Sequence, residues 1–127
     1  MEIAPIKESD SCEYMNELLQ LLTHATMRFK IASVLVKKGR VIGCGVNSKK
    51  THPRFGSGPY KTIHAEGAAI WDAIKRGNNP QGATIITLRQ NFNCSKPCRY
   101  CEQLLREHGI KRAYYSTNGL FDEEGTT

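Results

Sequence analysis

Residues 65–88 read AEGAAIWDAIKRGNNPQGATIITL, and this stretch decides the fold class. From Ala65 to Arg76 it sets Ala68, Ala69, Trp71 and Ile74 at helical spacing on a helix that is apolar on two sides. Such a helix must be buried against a sheet. Gly77-Asn78-Asn79-Pro80 stops it, and Ala83 to Leu88 then forms a continuous run rich in β-branched residues. That run predicts a central strand covered on both faces, so the pair reads as α/β.

Upstream of this stretch, Met15, Leu18, Leu19, Leu22 and Ala25 predict an amphipathic helix over 11–28, with a Ser/Asp cluster before it as N-cap. Ile31 to Lys37 reads as a strand, Lys38-Gly39 as a tight turn and Arg40 to Asn47 as the hairpin partner. Gly43 and Gly45 mark a bulge or a close backbone approach. Ser48 to Thr62 is polar, basic and rich in Gly and Pro, a long loop of the kind that is usually functional or disordered. Downstream, Arg89 to Lys96 reads as a loop, Pro97 opens a helix to His108 with Gly109 as its C′ residue, and Ile110 to Ser116 is a strand. The order α, β, β, α, β, α, β gives a mixed sheet, antiparallel at the hairpin and parallel across the helices.

The 127 residues suit one domain, 1–127. No apolar run approaches the roughly 18 residues that cross a bilayer, and Met1-Glu2-Ile3-Ala4-Pro5 lacks the basic and apolar regions of a signal peptide. These features lead us to expect a soluble, cytoplasmic protein with no membrane partner. Cysteines at 12, 44, 94, 98 and 101 are odd in number and partly in a C-x-x-C cluster, which favours metal or redox chemistry over a disulfide framework. The net charge of +6 is uneven. No acidic residue lies between Leu18 and Ala65, where Arg28, Lys30, Lys37, Lys38, Arg40, Lys49, Lys50, Arg54 and Lys61 fall. A segment of that kind favours a phosphate or a nucleic-acid backbone, or is a solvated surface.

His64-Ala65-Glu66 and Pro97-Cys98-Arg99-Tyr100-Cys101 each follow a loop and open a helix. Cys98 and Cys101 are three apart and share a helical face, and a helix N-terminus favours the thiolate that binds zinc. One imidazole and two thiolates make three protein ligands, leaving a tetrahedral zinc open as catalytic sites are. Glu66 stands beside the ligand His64, placed to move protons. Two other readings stay open on the residues alone: a redox C-x-x-C, and a closed zinc site in which Cys94 is the fourth ligand.

Taken together the two boxes resemble the H-x-E and P-C-x-x-C signature of the cytidine and deoxycytidylate deaminase superfamily, with residues 67–96 between them. The resemblance implies a three-layer α-β-α fold with a mixed sheet of four to five strands flanked by helices. It implies zinc (Zn2+) on His64, Cys98 and Cys101, attack of activated water on C4 of cytosine, and Glu66 delivering protons to N3 and then to departing ammonia. It also implies backbone contacts from Ala65 to the base and a sugar contact from Asn47. The substrate so implied is a cytosine nucleoside or nucleotide, and the basic segment favours a phosphorylated one.

Arg89, at the edge of the site, is a candidate for that phosphate, and Tyr60, with His52 in the basic loop, for gripping phosphate or stacking a base. An alternative is a deaminase acting on cytosine or adenine within single-stranded DNA or RNA, since a polymer asks for the same local charges. A zinc-stabilised nucleic-acid-binding module is a third reading, against which Glu66 argues. Relatives usually carry a fifth strand beyond the fourth, and residues 117–127 offer room for little more than a short edge strand. Many relatives are oligomers with sites near subunit interfaces, so the resemblance and the short C-terminus together admit a homo-oligomer. Trp71 reads as core, His24 and His108 as helix-end residues, and Cys12 and Cys44 as small buried hydrophobes.

Overall fold

The computed structural model describes residues 1–6, 8–24, 30–48, 64–89 and 99–116, with the backbone alone for 8–13 and 15. Its elements run β1 (Glu2–Pro5), α1 (Glu8–Leu22), β2 (Ile31–Lys37), β3 (Arg40–Val46), α2 (Ala65–Lys75), β4 (Thr84–Arg89), α3 (Arg99–Glu107) and β5 (Arg112–Tyr115). They build one sheet of five strands in the order β1-β5-β4-β2-β3. The hairpin β2–β3 and the pair β2–β4 are antiparallel, whereas β4–β5 and β5–β1 are parallel. This is the mixed sheet expected, and β4 lies at its centre. Its fifth strand comes from the N-terminus, with Ile3 opposite Ala113; residues 117–127, where an edge strand was expected, lie outside the described residues.

Alternation along the strands sorts two apolar layers. Leu35, Ile85 and Ala113 meet Ala69, Ile70 and Ala73 of α2 and Leu104 and Leu105 of α3 on one face. Ala32, Val34, Val36, Ile86 and Leu88 meet Leu18 and Leu22 of α1 on the other. The result is a three-layer α-β-α sandwich. Trp71, expected in the core, is half-buried at the rim of the first layer, with the Lys75 ammonium 5.6 Å from its ring centre. Among the described residues no helix is long and apolar enough to cross a membrane.

Several boundaries differ from expectation, two of them for plain local reasons. The first helix runs from Glu8 to Leu22 and takes in the Ser/Asp cluster expected as its cap. It closes early because the Thr23 N–H and hydroxyl both donate to Gln20 O, at 3.2 and 2.6 Å, and His24 N–H donates to Leu21 O. Such three-residue bonds tighten and end a helical turn. β4 reaches Arg89, one residue past the predicted strand, because Arg89 stays in register with Ile31. The last helix is described from Arg99, and its end is as expected: Gly109 takes φ +71°, its N–H donates to Arg106 O and Ile110 N–H donates to Leu105 O. That double bond past a left-handed residue closes the last turn.

The hairpin turn at Lys38 and Gly39 has φ of 53° and 76°, both positive, as a two-residue hairpin turn requires. A register shift between Leu35 and Val36 supplies the bulge that Gly43 suggested. Gly43 and Gly45 also supply the close approach. A Cβ on Gly43 would stand 2.5 Å from Ala69 O, and one on Gly45 would stand 2.6 Å from both Ala68 Cβ and Ala69 N. α2 therefore lies directly on β3 and runs back along it, which carries His64 to the carboxyl end of the strand. Gly45→Val is expected to lower stability by about 3 kcal/mol or more, because backbone and not a flexible side chain must give way. Chemical denaturation checks this; a variant as stable as the parent contradicts the packing described.

Candidate active site

α2 and α3 both begin at the end of the sheet where β3, β4 and β5 finish. For α2 this follows from its antiparallel run along β3; for α3 it follows from the β4–α3–β5 crossover between parallel strands. Crevices outside the carboxyl ends of strands are where open α/β sheets bind ligands. Here the two helix N-termini add partial positive charge. The buried polar side chains among the described residues also gather at this end: Ser33, Asn47, Glu66, Thr87 and Ser116.

His64 occupies the N-cap position of α2 with extended backbone (φ −84°, ψ 160°) and makes no side-chain cap bond. Its ring instead leaves the helix, and Nδ1 stands 3.1 Å from Cys101 Sγ on α3. Ligand-capable atoms of His64, Glu66 and Cys101 all lie within 4.8 Å of one another. Cys101 and Glu66 are buried, and His64 is half-buried. Burial lowers the His64 pKa, favouring the neutral imidazole that metals require. Burial likewise pushes the Glu66 carboxyl up to about 7, opposed in part by a backbone hydrogen bond. A carboxyl near neutrality can both take and give a proton. Imidazole and thiolate together suit zinc.

The remaining candidates divide. Ala65 is wholly buried in the first turn of α2. Asn47 is buried, and its Oδ1 accepts Ile31 N–H at 3.0 Å while its own N–H donates to Ile31 O at 3.1 Å. It thus clamps the open end of the hairpin. Arg89 ends β4 on the same strand face as Thr87 and Ile85, the face that α2 and α3 cover. Cys98, Tyr60, His52 and Cys94 lie outside the described residues, as does the side chain of Cys12. Cys44, expected as a buried hydrophobe, is half-buried, and Arg76 Nη2 donates to its sulfur at 3.8 Å.

The described residues of the basic segment do not form one patch. Lys37, Lys38 and Arg40 sit at the hairpin tip, the opposite end of β2 and β3 from His64, roughly 20 Å of strand away. Lys30 alone of the described basic residues in that segment lies at the site end, and the other five fall outside the described residues.

Periodicity also passed over Ser33 and Thr87. Their hydroxyls bond at 2.7 Å across β2 and β4, on the face under α2. Hydroxyl residues inside largely aliphatic strands were the available signal. They give the site end of the sheet a polar floor. Truncating Thr87 takes from the buried Ser33 hydroxyl the partner it has across the strands, at a cost of about 1–3 kcal/mol.

A family model described as the cytidine and deoxycytidylate deaminase zinc-binding region matches residues 8–117. A search of curated proteins returns no match. Among solved structures, the dCMP deaminase of cyanophage S-TIM5 in complex with dCMP and dUMP is similar at 22% identity over 86% of this chain and 82% of that one, with a TM-score of 0.64. A mutant cytidine deaminase from Mycobacterium tuberculosis aligns at 24% identity over 79% of this chain and 83% of that one, with a TM-score of 0.57. The diaminohydroxyphosphoribosylaminopyrimidine deaminase/5-amino-6-(5-phosphoribosylamino)uracil reductase of Thermotoga maritima aligns at 31% identity over 79% of this chain but 27% of that one, with a TM-score of 0.51. The first two likenesses concern the fold. The family match spans both boxes and all three helices, and the cluster it covers suits the metal it names: the chain belongs to the cytidine and deoxycytidylate deaminase family of zinc-dependent hydrolases.

Proposed function

We propose that the protein hydrolytically deaminates a cytosine nucleotide or nucleoside, preferring a phosphorylated one, to its uracil form with release of ammonia. The observation that carries this reading is the convergence of His64, Cys101 and a buried Glu66 where two helices begin. In the proposal His64, Cys98 and Cys101 hold zinc, and Glu66 stays off the metal. Zinc in such an open site acts as a Lewis acid that makes water nucleophilic near neutral pH.

Glu66 takes the proton from the attacking water and gives it to N3 of the base. As the C4–N bond breaks, a second proton passes through the same carboxyl to the leaving amine, so water and the aminopyrimidine become the carbonyl product and ammonia. Burial supports this role, because a carboxyl with a pKa of about 7 exchanges protons in both directions at neutral pH. The Ala65 backbone is assigned to the base, and Asn47, buried directly after β3, to the sugar.

A phosphate is assigned to Arg89, with Tyr60, which lies outside the described residues, as a second candidate. The basic residue at the end of β4 supports this, as does the similar phage enzyme whose crystals hold dCMP and dUMP. The test is ammonia release from cytidine, deoxycytidine, their mono- and triphosphates, adenosine compounds and single-stranded oligonucleotides. Deoxycytidylate is expected to be turned over in preference to deoxycytidine. Turnover of oligonucleotides and of no monomer overturns the proposal.

A further inference from the structure

Ser116 is wholly buried one residue beyond β5, and it spends both of its groups on β4. Its N–H donates to Thr87 O at 3.0 Å, and its hydroxyl accepts Arg89 N–H at 3.1 Å. The paired register of β4 and β5 ends at Thr87 opposite Tyr115. The hydroxyl therefore carries the junction further, to the residue at which the chain leaves the sheet. Arg89 and Thr87 are two apart on one strand and share the face under α2 and α3. The bond from Ser116 thus fixes the Arg89 backbone at the end of β4, the end of the sheet at which α2 and α3 begin, two residues from the Thr87 hydroxyl that bonds Ser33.

We propose that Ser116 is a positioning residue for phosphate recognition: its hydroxyl sets the direction in which Arg89 leaves β4, and so the reach of the guanidinium to the substrate's phosphate. This rests on the reading above, in which the substrate carries a phosphate and Arg89 meets it. A guanidinium binds phosphate through a planar fork, so a small rotation of its backbone costs geometry that a point charge would keep.

The test titrates the zinc-loaded full chain with deoxyuridylate and with deoxyuridine, products that bind without turning over. Ser116→Ala is expected to weaken deoxyuridylate about tenfold, the scale of one lost buried hydrogen bond, and to leave deoxyuridine unchanged. Ser116→Thr keeps the hydroxyl and is expected to bind both as the parent does. In an Arg89→Ala background, Ser116→Ala is expected to add nothing. Amide hydrogen exchange at Arg89 reads the bond itself, rising in Ser116→Ala and not in Ser116→Thr.

Equal weakening of both ligands by Ser116→Ala, or a loss that persists without Arg89, overturns the role. If Arg89→Ala weakens both ligands equally, the phosphate reading falls and this one with it. If Arg89→Ala is selective for deoxyuridylate and Ser116→Ala has no effect, Ser116 alone is wrong. Should Ser116→Ala fail to fold, Ser116→Cys keeps the volume with a weak acceptor and is judged by the same outcomes.

Discussion

Glu66→Gln is expected to keep zinc and fold while ammonia release falls by about 10²–10⁴-fold, the usual worth of a positioned proton carrier. The substitution is nearly isosteric, which matters because Glu66 is only 5% exposed and a smaller residue would open a cavity. An amide cannot take the proton of water or return it to the leaving amine, so the loss falls on kcat. Packing gives no reason for a loss of stability, since the carboxyl is held near neutrality by burial and glutamine resembles its protonated form. Steady-state kinetics with ammonia as the readout check this. A variant as active as the parent removes Glu66 from the mechanism.

The second large effect is on the metal. Cys101→Ala is expected to abolish stoichiometric zinc, and Cys98→Ala to do the same. Cys101 Sγ lies 3.1 Å from His64 Nδ1, so its removal takes one donor from the pair that joins α2 to α3. Only a sulfur is lost from a small buried side chain, and Leu104 and Leu105 remain to bury the inner face of α3. The helix should therefore persist without the ion. Elemental analysis after dialysis against a chelator measures the loss, and far-ultraviolet circular dichroism tests that the fold survives. Full zinc occupancy in both variants contradicts the ligand set.

Much of this architecture was legible because the decisive segments are long and strongly patterned. The α2 helix, the β4 run and the β2–β3 hairpin each carry their own periodicity and their own stop, and both glycines of β3 announced the packing that brings His64 to the end of the strand. β1 was not legible. Glu2-Ile3-Ala4-Pro5 is too short to show alternation and ends in a residue that lacks an N–H. It is a strand because Arg112–Tyr115 offers a parallel partner more than 100 residues away in sequence, and because a short edge strand tolerates proline.

The site divides in the same way. His64, Glu66 and Cys101 were readable because two short boxes fix them at helix starts, and the structure brings these three together. Ser33, Thr87 and Ser116 were not, since a lone hydroxyl in a strand acquires meaning only from the partner opposite it. The basic segment, read as favouring a phosphate or nucleic-acid backbone or as solvated surface, is divided among its described residues by a hairpin that carries Lys37, Lys38 and Arg40 to the end of the sheet opposite Lys30.

The most direct test of the central claim, a zinc site worked by Glu66, measures zinc content and ammonia release from deoxycytidylate side by side in the parent, Glu66→Gln and Cys101→Ala proteins. The expected result is about one zinc per chain with turnover in the parent, about one zinc with turnover lowered by about 10²–10⁴-fold in Glu66→Gln, and neither zinc nor turnover in Cys101→Ala. Turnover that survives in Cys101→Ala after its zinc is gone contradicts it.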